Sequence, residues 1–345
     1  MSRRTITIIT GCVLLAALAV GSVKLPVPYV RLGPGPTFDT LGTDDAGKEI
    51  IGIDGRQERQ TTGHLNLTTI SVRGGPGDNL DLLSALGGWL DPRFSVVPRE
   101  EIYPPGKSAQ EVDKETSKEF TQSQSSAEYA ALGELGYPSQ VVIQDVPSGS
   151  PSTGKLAPKD VLTSVNGRPV DDYNDISTVL TALSPGATVE VGYRREGRTG
   201  TARIVTTKAT DRKGAAVGLL LTLRRAAPFT VTIGLNESIG GPSAGLMFAL
   251  GIVDKLGPED LTGGRFIAGT GTIDYDGAVG PIGGILLKMI SAREHGATVF
   301  LVPEDNCTDA LQRPPAGLQL VKVETLDGAL DALKEIRSGQ PAPTC

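Results

Sequence analysis

Histidine is almost missing from this chain, with His64 and His295 the only two among 345 residues. Neither belongs to an HExxH string or a Cys/His cluster, so a zinc hydrolase fails for want of ligands, and no metal is expected. A Ser-His-Asp triad would have to recruit one of the two. His64 falls in a strand-like run and His295 at the end of a helical one, and neither has a partner motif. Aromatic residues are scarce at 4%, while 44 glycines and 24 prolines point to short elements and many turns instead of long helical bundles. No dense Lys/Arg block occurs and the net charge is -6, which argues against nucleic acid as a partner. GxxxxGK[ST] occurs nowhere in these residues and Gly269-Thr270-Gly271 is only a lone GxG, so neither an ATP-binding P-loop nor any other cofactor is expected.

The length suggests two or three folded units, and a hydrophobic content of 39% is enough for real cores. The expected class is α+β. From Thr5 to Val23 the chain is apolar, behind Arg3 and Arg4. This run predicts a transmembrane anchor over 5–24, a cytoplasmic tail over 1–4, and an exported remainder, because basic residues stay on the cytoplasmic side. A signal peptide cut near Ala17-Leu18-Ala19 is the rival reading; the apolar stretch continues beyond that site, which favours an uncleaved anchor. Ile9-Thr10-Gly11-Cys12 resembles a lipoprotein processing box but comes too early in the run. Of three cysteines, Cys12 falls within the expected anchor, leaving Cys307 and Cys345. In an oxidising compartment this pair reads as a disulfide, stabilising by roughly 4 kcal/mol in the chain-entropy picture; two free thiols are the alternative.

Pro26 to Thr37, rich in proline and glycine, reads as a juxtamembrane linker or edge segment. Leu65–Val72 alternates as a strand does, Leu82–Leu90 with the sole tryptophan Trp89 reads as a short helix, and Ser108–Leu135 carries apolar residues at helical spacing up to Gly136. A β-rich unit follows over 137–209, with a strand at Val141–Val146, a tight turn at Asn166-Gly167, a helix near Asp175–Leu183 and a hairpin from Val189 to Val205. Its GSP, GKL, DVL and SVNGRPV strings resemble a PDZ domain, although Lys159 stands where a glycine is usual before Asp160. The resemblance implies a peptide added as a strand beside Val141–Val146, against the helix holding Ile176 and Val179. A β-rich spacer with a closed groove is the alternative.

Gly240-Gly241-Pro242-Ser243-Ala244-Gly245 leads into an apolar helix, so Ser243 falls at or beside a helix N-terminus, where free N–H groups and the helix dipole favour negative charge. The string Pro281-Ile282-Gly283-Gly284-Ile285-Leu286-Leu287-Lys288 supplies a lysine among apolar neighbours. A serine needs a base, and without histidine the usable base is a neutral amine. Lysine starts near pKa 10.4, so burial must depress it by about 3 units. On spacing alone, a helix-capping serine and a lysine that snorkels to water are the more usual readings.

GGPSAGLMFAL, then TGTIDYDGAVGPIGGILLK, then GATVFLVPEDN, together resemble the proteolytic domain of the Lon family of serine proteases. The resemblance implies a Lon-type α/β domain over 226–340, with Ser243 as nucleophile, Lys288 as general base, Thr270 orienting the lysine and Gly241 supporting the approach to Ser243. Gly240 departs from the acidic residue that commonly precedes GPS in Lon itself. Region 25–136 is expected to hold the first part of this domain, in Gly63–Val72 and the helix near Ser123–Leu135, with the PDZ-like unit inserted. The whole is similar to membrane-anchored, ATP-independent Lon-like proteases with a PDZ domain. Such an enzyme would cleave unfolded or exposed segments outside the cytoplasm, with protein or peptide substrates as partners and self-association into a homo-oligomer left open. The rival is a non-catalytic PDZ scaffold on an inert Lon-like fold.

Overall fold

The computed structural model describes residues 2–23, 25–210, 213–235 and 239–345. They form two compact units, Met1–Ala131 with Val231–Cys345, and Leu132–Thr230. Both mix helices and strands.

The first unit begins with α1 (Arg3–Val23). Among the described residues no helix is long and apolar enough to cross a membrane, which overturns the transmembrane anchor expected over 5–24. Arg3 and Arg4 occupy the first places of α1, and Thr5, Thr7, Thr10, Gly11 and Gly21 interrupt its apolar positions. The unbroken apolar stretch, Cys12–Val20, covers about 14 Å at 1.5 Å per residue, against roughly 30 Å of hydrocarbon. Lys24, the last residue of the expected anchor, lies outside the described residues.

The expected linker at Pro26–Thr37 is also corrected. Most of it belongs to β1 (Tyr29–Asp39), which pairs antiparallel with both β2 (His64–Arg73) and β3 (Ser95–Pro98). Pro34 and Pro36 have no N–H to give to a ladder, and the β1–β2 register shifts between Pro34 and Thr37, a bulge that absorbs the missing bonds. Between β2 and β3, α2 (Leu82–Leu90) starts on the Asp81 side chain, which accepts the Ser84 N–H at 2.8 Å. The long helix α3 (Ala109–Glu134) buries Phe120, Ala127, Ala130 and Ala131, the residues whose spacing marked it.

In the second unit, β4 (Ser139–Asp145), β5 (Val161–Val165), α4 (Tyr173–Thr181), β6 (Thr188–Arg195), β7 (Arg198–Val205) and β8 (Leu220–Arg225) give an antiparallel sheet of order β8-β4-β5-β6-β7. Its core joins Val141, Ile143, Leu162, Val189 and Ile204 to Ile176, Val179 and Leu180 from α4. A reciprocal capping box between Asp172 and Asp175 starts that helix. Asn166 and Gly167 both have positive φ, at 49° and 76°, as the tight turn requires.

The chain then completes the first unit with α5 (Gly245–Leu256), β9 (Phe266–Gly269), α6 (Ile285–Glu294), β10 (Val299–Pro303), β11 (Gln319–Val323) and α7 (Leu326–Ser338). The sheet runs β11-β10-β9-β2-β1-β3, with β11, β10, β9 and β2 mutually parallel. Every residue of α5 and of β10 is buried; β10 and the first turns of α5 are apolar, while Asp254 and Lys255 at the end of α5 are buried in ion pairs with Arg59 and Glu58. The feature that makes room for a site is a mismatch of strand lengths. β9 pairs with β2 only from His64 to Leu67, so β2 runs on through Thr68–Val72 with that edge uncovered by β9.

Candidate active site

Ser243 stands one residue before Ala244, the N-cap of α5. Gly241 turns the chain toward it with φ 86°, a left-handed backbone that favours glycine, and donates its N–H to the Thr116 carbonyl at 3.0 Å. Ser123 Oγ donates to the Pro242 carbonyl at 2.9 Å. Thr116 and Ser123 therefore fix the approach to Ser243 from one face of α3, with Phe120 between them. Sequence reasoning missed both. Thr116 acts through its backbone carbonyl, its hydroxyl being spent on the Val112 and Asp113 carbonyls of its own helix, and only Ser123 reaches the approach with a hydroxyl, so no local pattern announced either contact. Behind Ser243, its carbonyl accepts the Gly271 N–H at 2.9 Å and the Thr270 hydroxyl at 3.0 Å. A Cβ on Gly245 would lie 2.7 Å from Ile273 and 2.9 Å from Ser123 Oγ, so glycine is what lets α5 start this close to its neighbours.

Lys288 comes from α6, whose N-cap Gly284 is left-handed at φ 72° and accepts the Lys288 N–H at 3.1 Å. Its Nζ lies 2.7 Å from Ser243 Oγ and 2.9 Å from Thr270 Oγ1. The residue is only 3% exposed, and burial alone pushes its pKa from 10.5 down to about 7. Close to neutrality a large fraction of the amine is therefore uncharged, within hydrogen-bond distance of the serine hydroxyl. Around the pair opens a cleft of about 760 Å³, with Leu32, Phe38, Ile70, Ile102 and Phe120 among its apolar lining, and with Thr68–Val72 of β2 and Pro281–Gly284 also bordering it. The first turn of α5 leaves backbone N–H groups without intrahelical partners, at the positive end of the helix dipole.

Of the residues singled out from sequence, Ser243, Lys288 and Thr270 come together, and Gly241 shapes their approach. Cys307 and Cys345 are bonded to each other. His64 and His295 do not line the cleft; the ring of His64 lies 2.7 Å from an Asp39 carboxylate oxygen, and that of His295 2.8 Å from the Ser291 carbonyl.

The expected peptide edge at Val141–Val146 is corrected. β4 is paired on one side with β8 and on the other with β5, so its hydrogen-bonding groups are spent. A groove of about 610 Å³ lies between α4 and the segment Val217–Leu221 that enters the edge strand β8, and Ile176, Leu180 and Leu219 line it. Tyr173 donates its hydroxyl to the Leu221 carbonyl at 3.2 Å.

A buried amine set on a serine hydroxyl at a helix start, inside an apolar cleft of a mixed α/β sheet domain, is the arrangement of a serine-type hydrolase. Comparison with known families narrows the class: residues 238–335 match the Lon protease (S16) C-terminal proteolytic domain, and residues 111–206 match a PDZ domain. The chain thus joins a Lon proteolytic domain to a PDZ domain. It is 33% identical over 129 residues to Lon protease 2 of Bacillus subtilis, covering 35% of this chain and 22% of that one. It is 38% identical over 101 residues to Lon protease 1 of Sorangium cellulosum, covering 28% of this chain and 12% of that protein. The chain therefore spans less than a quarter of the length of these relatives. Among solved structures, the PDZ domain of the SdrC-like protein from Listeria monocytogenes aligns over 24% of this chain and 85% of its own length at 20% identity, with a TM-score of 0.22.

Proposed function

We propose that this chain is a serine endopeptidase that works without ATP through a Ser243–Lys288 dyad, and that its PDZ domain engages protein or peptide segments. The observation that carries the reading is the 2.7 Å approach of the Lys288 amine, buried among apolar groups, to Ser243 Oγ. The neutral amine takes the proton of Ser243 as Oγ attacks a substrate carbonyl, and the resulting ammonium gives that proton to the departing amine. Thr270 accepts a hydrogen bond from Nζ and donates to the Ser243 carbonyl, which fixes the amine relative to the serine. The N–H groups at the start of α5 supply positive potential where the tetrahedral oxyanion develops. Water then enters by the same proton path and releases the acyl group.

The uncovered Thr68–Val72 edge suits an extended backbone, so the substrate is an unfolded segment or exposed loop laid along β2, with apolar side chains directed into the cleft. The groove beside α4 suits a second extended segment, which the PDZ domain recruits or senses. The Cys307–Cys345 bond supports work in an oxidising compartment outside the cytoplasm.

The test is cleavage of an unfolded casein peptide, without nucleotide, by the wild type, Ser243→Ala and Lys288→Ala. Both variants should fall by at least about a thousandfold in kcat, as removal of a nucleophile or its base does elsewhere. Equal cleavage by all three would refute the dyad, and no cleavage by the wild type would return the chain to a peptide-binding scaffold.

A further inference from the structure

The GATVFLVPEDN string ends in Asn306, a residue the dyad does not use. The residue is 6% exposed and its side chain is directed to a single residue: Oδ1 accepts the Ile282 N–H at 2.8 Å, and Nδ2 donates to the Ile282 carbonyl at 3.0 Å. A carboxamide that satisfies both backbone groups of one residue holds that residue as a strand partner would. Ile282 needs such a partner. It lies in Pro281–Gly284, which borders the cleft, belongs to neither helix nor strand, and exposes Pro281 and Gly283. The same four residues lead straight into α6, so their placement also sets where substrate lies relative to Lys288.

Asn306 is itself held on both sides. It closes the 3-10 turn Glu304–Asn306, and the next residue, Cys307, is bonded to Cys345. The tail bearing Cys345 is laid on β11 by the Lys322 N–H, which donates to the Pro343 carbonyl at 3.0 Å, and by a bridge between Val321 and Thr344. Cys307, Cys345 and Ile282 all pack against the cluster around Ile285, Met289 and Phe300.

We propose that Asn306 is a positioning residue for substrate, fixing the Pro281–Gly284 wall of the cleft, and that the Cys307–Cys345 bond is the tether that keeps it in place. This rests on the endopeptidase reading and deepens it. A peptide long enough to run between the Thr68–Val72 edge and this wall depends on Asn306, whereas a small acyl ester that meets little beyond Ser243 depends on it far less.

The experiment measures the full chain and its Asn306→Ala, Asn306→Asp and Cys345→Ser variants on an unfolded casein peptide and on p-nitrophenyl acetate. For Asn306→Ala the peptide KM should rise about tenfold while kcat falls by no more than about twofold, and ester hydrolysis should lose far less than the peptide kcat/KM. Asn306→Asp, which keeps the acceptor for the Ile282 N–H, should fall between the wild type and Asn306→Ala. Cys345→Ser should raise the peptide KM in the same direction by a smaller factor. An unchanged peptide KM in both Asn306 variants, or an equal loss on peptide and ester, would overturn the positioning role. A wild-type peptide KM in Cys345→Ser would overturn the tether. Ser243→Ala is run alongside: if it still cleaves both substrates, the endopeptidase reading itself fails, an outcome that no Asn306 result can mimic.

Discussion

Lys288 is the residue on which the proposed chemistry and the stability of this protein meet. In the unfolded chain its amine titrates near 10.5, and in the folded chain burial lowers this to about 7. Between those values the unfolded state binds more protons, so this group makes stability rise with pH; below pH 7 both states are charged and the burial penalty is complete. A depression of that size corresponds to about 5 kcal/mol as an upper figure, part of which the contacts with Ser243 and Thr270 offset. Lys288→Met, which keeps the length and removes the charge, should therefore be more stable than the wild type near pH 6, by about 2–4 kcal/mol in urea unfolding. The advantage should shrink as pH rises toward 10.5, and one that is constant with pH would mean the amine is not held uncharged. Ser243 and Lys288 were legible in the sequence because both stand in strings with a recognisable order and because histidine could not serve. Thr116, Ser123 and Asn306 were not legible. Each acts through a backbone group of a remote segment, and nothing in its own neighbourhood records that partner.

At the level of elements, local patterns read well where they were periodic and poorly where pairing was remote. The α2, α3 and α7 helices and the β6–β7 hairpin follow from apolar spacing, caps and a tight turn. The strand β1 was hidden because its prolines and glycines carry a turn signal, while the bulge that excuses them exists only once β2 is beside it. The free edge of the second unit was misplaced because β8, which covers β4, arrives from far along the chain. Composition also overstated α1, whose threonines, glycines and two arginines break the apolar run. The connection from β4 to β5 carries a further consequence. Lys159 there has φ 73°, a left-handed backbone that costs a non-glycine residue roughly 1 kcal/mol, and its N–H donates to the Ile143 carbonyl at 2.8 Å. Lys159→Gly keeps that bond and removes the strain. It should stabilise the second unit by up to about 0.5 kcal/mol, read as a higher unfolding midpoint, once the added freedom of the unfolded chain is discounted. A loss of stability would show that the lysine side chain contributes something the backbone does not.

Across the whole molecule, a sheet domain assembled from two stretches of chain, Met1–Ala131 and Val231–Cys345, holds the cleft, and a separate β-rich unit holds a second groove. The proposed dyad draws on both stretches of the first unit: the serine and lysine come from the later one, while α3 and β2 of the earlier one fix the approach and line the cleft. The central claim is that a buried, largely neutral Lys288 activates Ser243. Its most direct test is the pH dependence of kcat/KM for an unfolded peptide, measured without nucleotide. The rate should rise with a single apparent pKa near 7 and level off above it, as the fraction of uncharged amine does. A rate that climbs only as pH approaches 10.5, the value of an unburied lysine, would contradict the account.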